Sequence, residues 1–354
     1  MNGPIEGSKG GSRRDFIRGA STITGGAALL GLSMAAEAQV PQPGPAQVPQ
    51  AGKHRTFRAS EPAGEHLKNL GPLAELGGTW VGHGFNVIAL PDFQDNATFR
   101  VKVNATDENL QFTQIGGNVP NRGSFTPDHK TGQKDINIFG LSYLQRVSDA
   151  TTSSALHIEP GLWLHVEPSE IPPQPLHTVV RQGSIPHGTS ILAQGAVLPT
   201  LKNTPPNIQT ADITPTNAKT GVKLQGPYLD KFEQAKATLP PQAKPSYIMN
   251  PNQALVDVLA AQALANQKIT KMDVLDISTD PKDDSNKLMG GGLLNIPFVI
   301  SNAEATLFSA TFWIETVQPA TGDPFLQLQY TQTIILKFAD INWPHISVAT
   351  LVKQ

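Results

Sequence analysis

Phe325-Leu-Gln-Leu-Gln-Tyr-Thr-Gln-Thr-Ile-Ile-Leu-Lys-Phe338 reads as one half-buried β-strand. Leu326, Leu328, Tyr330, Ile334, Leu336 and Phe338 fall on one face, and Gln327, Gln329, Thr331, Thr333 and Lys337 on the other. A period of two over this length fits an extended strand with one face on a core. Thr306–Val317 behaves likewise, with Phe308, Ala310, Phe312 and Ile314 sharing a face. Asp340–Trp343 is a short link, and His345–Leu351 forms the last strand. Upstream, strand patterns occupy Thr79–Leu90, Ala97–Val103, Leu110–Ile115, Ile136–Val147, Ala155–Val166, Thr178–Gly183, Thr189–Val197 and Ile269–Ser278. Helical spacing is confined to Glu61–Leu76 and to Gln253–Gln267, the latter introduced by Asn250-Pro251. Many strands and few helices predict a mostly β chain closed as an antiparallel barrel, since closure removes open sheet edges. A β-sandwich is the main alternative. Residues 199–250 are rich in Pro, Thr, Asn, Gln and Lys without periodicity. They predict a long surface insertion that runs, with its helix, over about 199–300.

The composition narrows the function. The chain has 354 residues, 39% of them hydrophobic, enough for a sizeable core. Charged residues make up only 16%, nearer to a β-rich exported protein than to a cytosolic enzyme. A net charge of −2 with no basic stripe leaves no electrostatic footprint for nucleic acid. The absence of cysteine excludes disulfides, thiolate catalysis, iron–sulfur clusters, thiolate zinc sites and covalent haem attachment. A metal or haem must therefore be held by His, Met, Tyr, a carboxylate or a carbonyl.

The N-terminus reads as an address. Ser12-Arg-Arg-Asp-Phe-Ile-Arg18 precedes a Gly- and Ala-rich apolar stretch, Ala20 to Ala36, that ends Ala36-Glu37-Ala38. Paired arginines, a weakly apolar segment and a small-x-small ending predict a twin-arginine signal peptide over 1–38. The expected partner during export is the Tat translocase, and the expected location is periplasmic or secreted. The apolar stretch is too short and too rich in Gly for a good anchor, so no integral membrane segment is expected once it is removed. Residues 39–60 are a Pro-rich linker, and 61–354 the folded domain. This route carries proteins already folded, which raises the expectation of a prosthetic group.

Nine histidines are present, without an HExxH motif or a His-x-His pair. His345 shares a strand face with Ser347, Ala349 and Leu351. Its small neighbours leave room for a flat ligand, so the ring is either an axial haem ligand or a structural hydrogen-bonder. His157 is either a cavity residue or the partner of Glu159. His187, in Ile185-Pro-His-Gly188, either lines a barrel mouth or caps a tight turn.

Three segments together resemble the nitrobindin-like haem-binding β-barrel family. They are Leu76-Gly-Gly-Thr-Trp-Val-Gly-His-Gly84, Ala155-Leu-His-Ile-Glu-Pro-Gly-Leu162 and Trp343-Pro-His-Ile-Ser-Val-Ala-Thr-Leu-Val-Lys353, in the family's order. Opening motifs like the first also occur in lipocalins. The resemblance implies a barrel of about ten strands holding haem b, with His345 as the protein ligand to iron. It places His157 near the distal face, as the tentative catalytic residue. Thr79, Trp80, Gly82, His157, His187 and His345 make up the expected cofactor-binding set. Relatives bind nitric oxide and isomerise peroxynitrite, so a small diatomic or peroxide ligand is expected. They are also shorter and cytosolic, and lack the export signal and the insertion. The rival expectations are a lipocalin-like carrier of a small hydrophobic molecule without haem, and an exported interaction module.

Overall fold

A computed structural model describes residues 63–171, 173, 177–281 and 289–354. The expected signal (1–38) and linker (39–60) lie outside these residues. Thirteen strands are formed among them. They are β1 (Gly78–Asp92), β2 (Ala97–Gln114), β3 (Val119–Asn121), β4 (Ile136–Asp149), β5 (Ala155–Val166), β6 (Thr178–Ile185) and β7 (Thr189–Lys202). The series continues with β8 (Thr216–Asn217), β9 (Lys268–Ser278), β10 (Gly290–Asn295), β11 (Glu304–Gln318), β12 (Phe325–Phe338) and β13 (Ile341–Lys353). The helices are α1 (Ala63–Leu70), α2 (Pro227–Gln234), α3 (Ser246–Met249), α4 (Gln253–Leu264) and α5 (Pro297–Asn302). No helix of the described residues is long and apolar enough to cross a membrane.

Ten strands close into an antiparallel barrel in the order β1-β2-β4-β5-β6-β7-β9-β11-β12-β13, and β13 returns to pair with β1. The sandwich alternative is thereby set aside. The link between β12 and β13 is tighter than the sequence suggests. Ala339 and Asp340 both take positive φ, 51° and 56°, and make a two-residue hairpin from Phe338 to Ile341. The last strand therefore starts four residues before His345.

Two further differences from the sequence reading matter. Ala97–Val103 and Leu110–Ile115 are a single strand, β2, whose polar middle (Asn104 to Asn109) continues the ladder. The stretch 199–300 is not one insertion, because β9 within it is a barrel strand. Two excursions remain, one carrying β8 and α2–α4, the other carrying β10 and α5.

The interior splits along the barrel. One half is filled by Trp80, Phe112, Trp163, Phe308, Phe312, Leu328 and Leu351, plugged by Leu70, Leu73 and Leu76 from α1 and the following 3-10 turn. A second core lies outside the wall. There Phe85, Phe99, Ile346 and Val348 pack under Phe232, Tyr247 and Leu255 of the first excursion. The polar face of β12 is consequently not solvated. Gln327 and Gln329 are buried beneath α4, where Gln262 Nε2 donates to Gln327 Oε1 at 2.7 Å.

Glu315 of β11 is enclosed at the same place. It receives Gln327 Nε2 at 2.6 Å on Oε2, while Oε1 has no partner among the described residues. Burial pushes its carboxyl up to about 8, against a smaller pull from Gln327. The folded chain thus keeps a proton that the unfolded chain releases near 4.5. Stability from this group is complete below that value and is lost as pH rises towards about 8, at up to about 1.4 kcal/mol per pH unit. Glu315→Gln is therefore expected to gain on the wild type as pH rises from 5 to 9, by a few kcal/mol in urea unfolding. A constant difference across that range would show that the carboxyl is ionised in the fold.

Candidate functional site

Strand parity decides what faces the barrel interior, since alternate side chains point to opposite sides of the wall. On β1 the inward set is Trp80, Gly82, Gly84, Asn86, Ile88 and Leu90. On β13 it is His345, Ser347, Ala349 and Leu351. Trp80, Ala349 and Leu351 belong to the filled half, whereas Asn86, Ile88, Leu90, His345 and Ser347 line a cavity of about 500 Å³ in the other. Cofactor pockets fall at roughly 300–1,000 Å³. Its walls are mainly aliphatic, with Ile185, Ile191, Leu293, Ile334 and Leu336 among them, and Phe298 and Val299 of α5 at the rim.

His345 presents its ring to this cavity. Burial, helped by the nearby His157 and His187, lowers its pKa to about 4, so the imidazole is neutral at physiological pH. Neutral imidazole is the form that ligates a metal. Nε2 meets Asn86 Nδ2 at 2.9 Å and Ser347 Oγ at 3.5 Å, and Asn86 Oδ1 is buried without a partner. His157 and His187 also line the cavity, their rings nearly parallel (20°) with centroids 6.2 Å apart. The Pro186-His187-Gly188 turn is fastened to α5, because Ile296 N donates to Gly188 O at 2.9 Å.

Between the cavity and the filled half runs a belt of polar side chains. On each strand it occupies the step between the two: Glu108 on β2, Gln145 on β4, Glu159 on β5, Arg181 on β6 and Tyr330 on β12. Arg181 NH2 donates to Glu159 Oε1 at 2.7 Å, Nε to Tyr143 Oη at 3.1 Å, and NH1 to Gln332 Oε1 at 2.7 Å. The guanidinium also sits within 5.3–5.9 Å of the ring centres of Phe308, Tyr143, Phe312 and Trp163. Burial alone would raise Glu159, but Arg181, with His157 and Tyr143, holds it at about 2. Gly183 makes the room, since a Cβ there would lie 2.3 Å from Glu159 Oε1.

Glu108 is the second buried carboxylate. Thr106 Oγ1 donates to Oε1 at 3.0 Å, and Tyr330 Oη and Gln145 Nε2 (3.2 Å) donate to Oε2. Burial raises its pKa, and these neutral donors offset only part of the rise.

The structure thus brings His157, His187 and His345 to one cavity. His157 also makes the alternative contact, with Nε2 3.2 Å from Glu159 Oε2. Thr79, Trp80 and Gly82 do not line the cavity, which corrects their place in the cofactor-binding set. Thr79 has outward parity. Trp80 is fully buried in the filled half, donating to Leu76 O at 2.7 Å. Gly82 serves the wall, because a Cβ there would lie 2.1 Å from Thr350 O of β13. Sequence reasoning missed Glu108, Gln145, Arg181 and Asn86. Their signal was a polar residue at an inward position. The described residues hold no group of three or more His, Asp or Glu side chains placed to bind a metal ion.

No protein-family model and no curated protein matches the chain. Among solved structures it is similar to Rv2717c from M. tuberculosis, at 14% identity over 83% of this chain and 99% of that one. The TM-score is 0.36, a likeness that identifies neither a family nor an activity.

Removing one partner of a buried ion pair leaves an uncompensated charge and costs about 3–5 kcal/mol. Arg181→Met is expected to lose that much in urea unfolding, with Arg181→Met/Glu159→Gln recovering part of it. A loss below about 1 kcal/mol would mean that Glu159 has another counter-charge.

Proposed function

We propose that this chain is an exported haem b-binding barrel whose iron is held by His345 and whose ligand is a small diatomic or peroxide species. The observation that carries the reading is a neutral imidazole on the wall of a largely aliphatic cavity of cofactor size. The residues present fit such a group. His345 would ligate the iron, and Ile88, Ile185, Ile334 and Leu336 would enclose the macrocycle; Asn86 would orient the imidazole with its amide turned so that Oδ1 accepts Nε2–H, which leaves the other ring nitrogen for iron. Bound haem would supply an iron position open to nitric oxide, peroxynitrite or peroxide. The chain's own contribution is to keep the imidazole unprotonated, to exclude bulk water with aliphatic walls, and to present His157 and His187 in the same cavity. Export rests on the paired arginines and the Ala36-Glu-Ala38 ending.

A second reading, a carrier of a small hydrophobic molecule without haem, is favoured by one contact. His345 Nε2 already has a partner in Asn86 Nδ2, as a structural histidine would.

Absorption of the protein purified after haem supplementation separates the two. The haem reading predicts a Soret band that disappears in His345→Ala, and an affinity about 10–100-fold weaker in Asn86→Leu. A wild type without the band, together with displacement of a fluorescent fatty-acid probe by apolar ligands, would establish the carrier instead.

A further inference from the structure

We propose that Glu108 is the proton donor of this cavity, a carboxylic acid positioned by Tyr330 and Gln145 that protonates an oxygen of the bound ligand. The inference deepens the reading above by naming the ligand class: an oxygen-bearing species taken up with a proton, such as a peroxide or an oxyanion of nitrogen. It rests on the cavity being a ligand site and not on iron.

Glu108 lines the cavity and is only 4% exposed, so the small part of it that is open faces the cavity. Its direct partners are all neutral: the Thr106 and Tyr330 hydroxyls and the Gln145 amide. Gln145 Nε2 also lies 3.0 Å from Tyr330 Oη, so the two donors brace each other. No cation among the described residues touches the carboxyl. The titratable groups that face it are Tyr330 from β12 and His157 from β5, and Arg181 from β6 acts on Tyr330. Glu159 shows the contrast, since its oxygens take a guanidinium directly.

The hydrogen bonds say where the proton belongs. Oε2 already receives Tyr330 and Gln145. Oε1 meets only the Thr106 hydroxyl, a group able to give or take a hydrogen bond. The acid proton therefore resides on Oε1, beside Thr106, which also lines the cavity. In the transfer the Oε1–H bond breaks, a bond from that proton to the ligand oxygen forms, and the carboxylate left behind is held by three donors. Burial favours the protonated state before transfer. His157 is the weaker candidate for this role because its Nε2 is engaged by Glu159.

Infrared spectroscopy of the full chain without haem tests the protonation. The wild type at neutral pH is expected to show a carboxylic-acid C=O band with one component lost in Glu108→Gln and shifted in Tyr330→Phe. That component must survive Glu315→Gln, since Glu315 is the other carboxyl raised by burial among the described residues. A band unchanged by Glu108→Gln would overturn the proposal. Fluoride titration of the ferric haem-loaded protein tests the transfer. Wild-type affinity should stay nearly level with pH near neutrality, because the donor already holds its proton, and Glu108→Leu should bind fluoride at least tenfold more weakly. Equal fluoride affinities in the two proteins would also overturn it. If no haem loads, the haem reading fails and the infrared result alone decides this one.

Discussion

β13 is hydrogen-bonded along both edges, to β12 and to β1, and that double pairing converts a sheet into a ring. Closure fixes which alternate residues face inward on every strand. A slip of one residue would turn His345 and Ser347 outward and bring Pro344 and Ile346 in, burying a proline against the cavity and exposing a polar interior to the outer core. The same parity explains why half the interior is solid and half is hollow. Bulky rings stack in one half: Trp80, Trp163, Phe308 and Phe312. In the other, inward positions carry shorter side chains such as Asn86, Asn104, Thr106 and Ser347, which cannot meet across the ring. The cavity follows from side-chain size at fixed parity, with no need of a special backbone.

The excursions add what a bare barrel lacks. A ten-stranded wall ordinarily shows water one face of each strand. Here the first excursion buries Phe85, Phe99 and Val348 from the outside, so part of the wall is packed on both faces. Gln327 is then bonded to Gln262 and Glu315, and Gln329 Nε2 donates to Thr350 Oγ1 at 2.8 Å. The second excursion works at the other feature. β10 takes over the pairing of β7 through Gln194 to Thr189, and α5 follows it to the cavity rim. One segment thickens the wall, and the other borders the site.

The barrel was legible because its long strands alternate cleanly, and β12 is the best case. The three cavity histidines were legible because each sat at a readable parity or turn. The rest was hidden for identifiable reasons. The break expected between Val103 and Leu110 falls on Asn104, Thr106 and Glu108, the inward polar residues of the site. A strand whose inward side chains are polar loses the apolar alternation by which strands are recognised, so the sequence reading stopped at this part of the cavity wall. β9 was recognised as a strand but assigned to an insertion, because pairing over long sequence separations leaves no local trace. Thr79, Trp80 and Gly82 were grouped with the cofactor by their motif. Parity separates them, since outward Thr79 and core-filling Trp80 have no access to the cavity.

The polar belt also carries an electrostatic constraint that ties core to cavity. It contains two buried carboxyls, Glu108 and Glu159, and one guanidinium. A buried charge is tolerable only when paired. Arg181 is committed to Glu159 by geometry: NH2 points at its Oε1, Nε and NH1 are taken by Tyr143 and Gln332, and four rings cage its faces. No freedom remains for it to swing to Glu108. Ionising Glu108 as well would put a net negative charge in a layer that borders packed aromatic side chains. The cheaper arrangement keeps one carboxyl charged and the other neutral, and the pair divides accordingly, Glu159 driven down and Glu108 driven up. The same buried ion pair that braces the wall therefore leaves its neighbour holding a proton at the edge of the cavity.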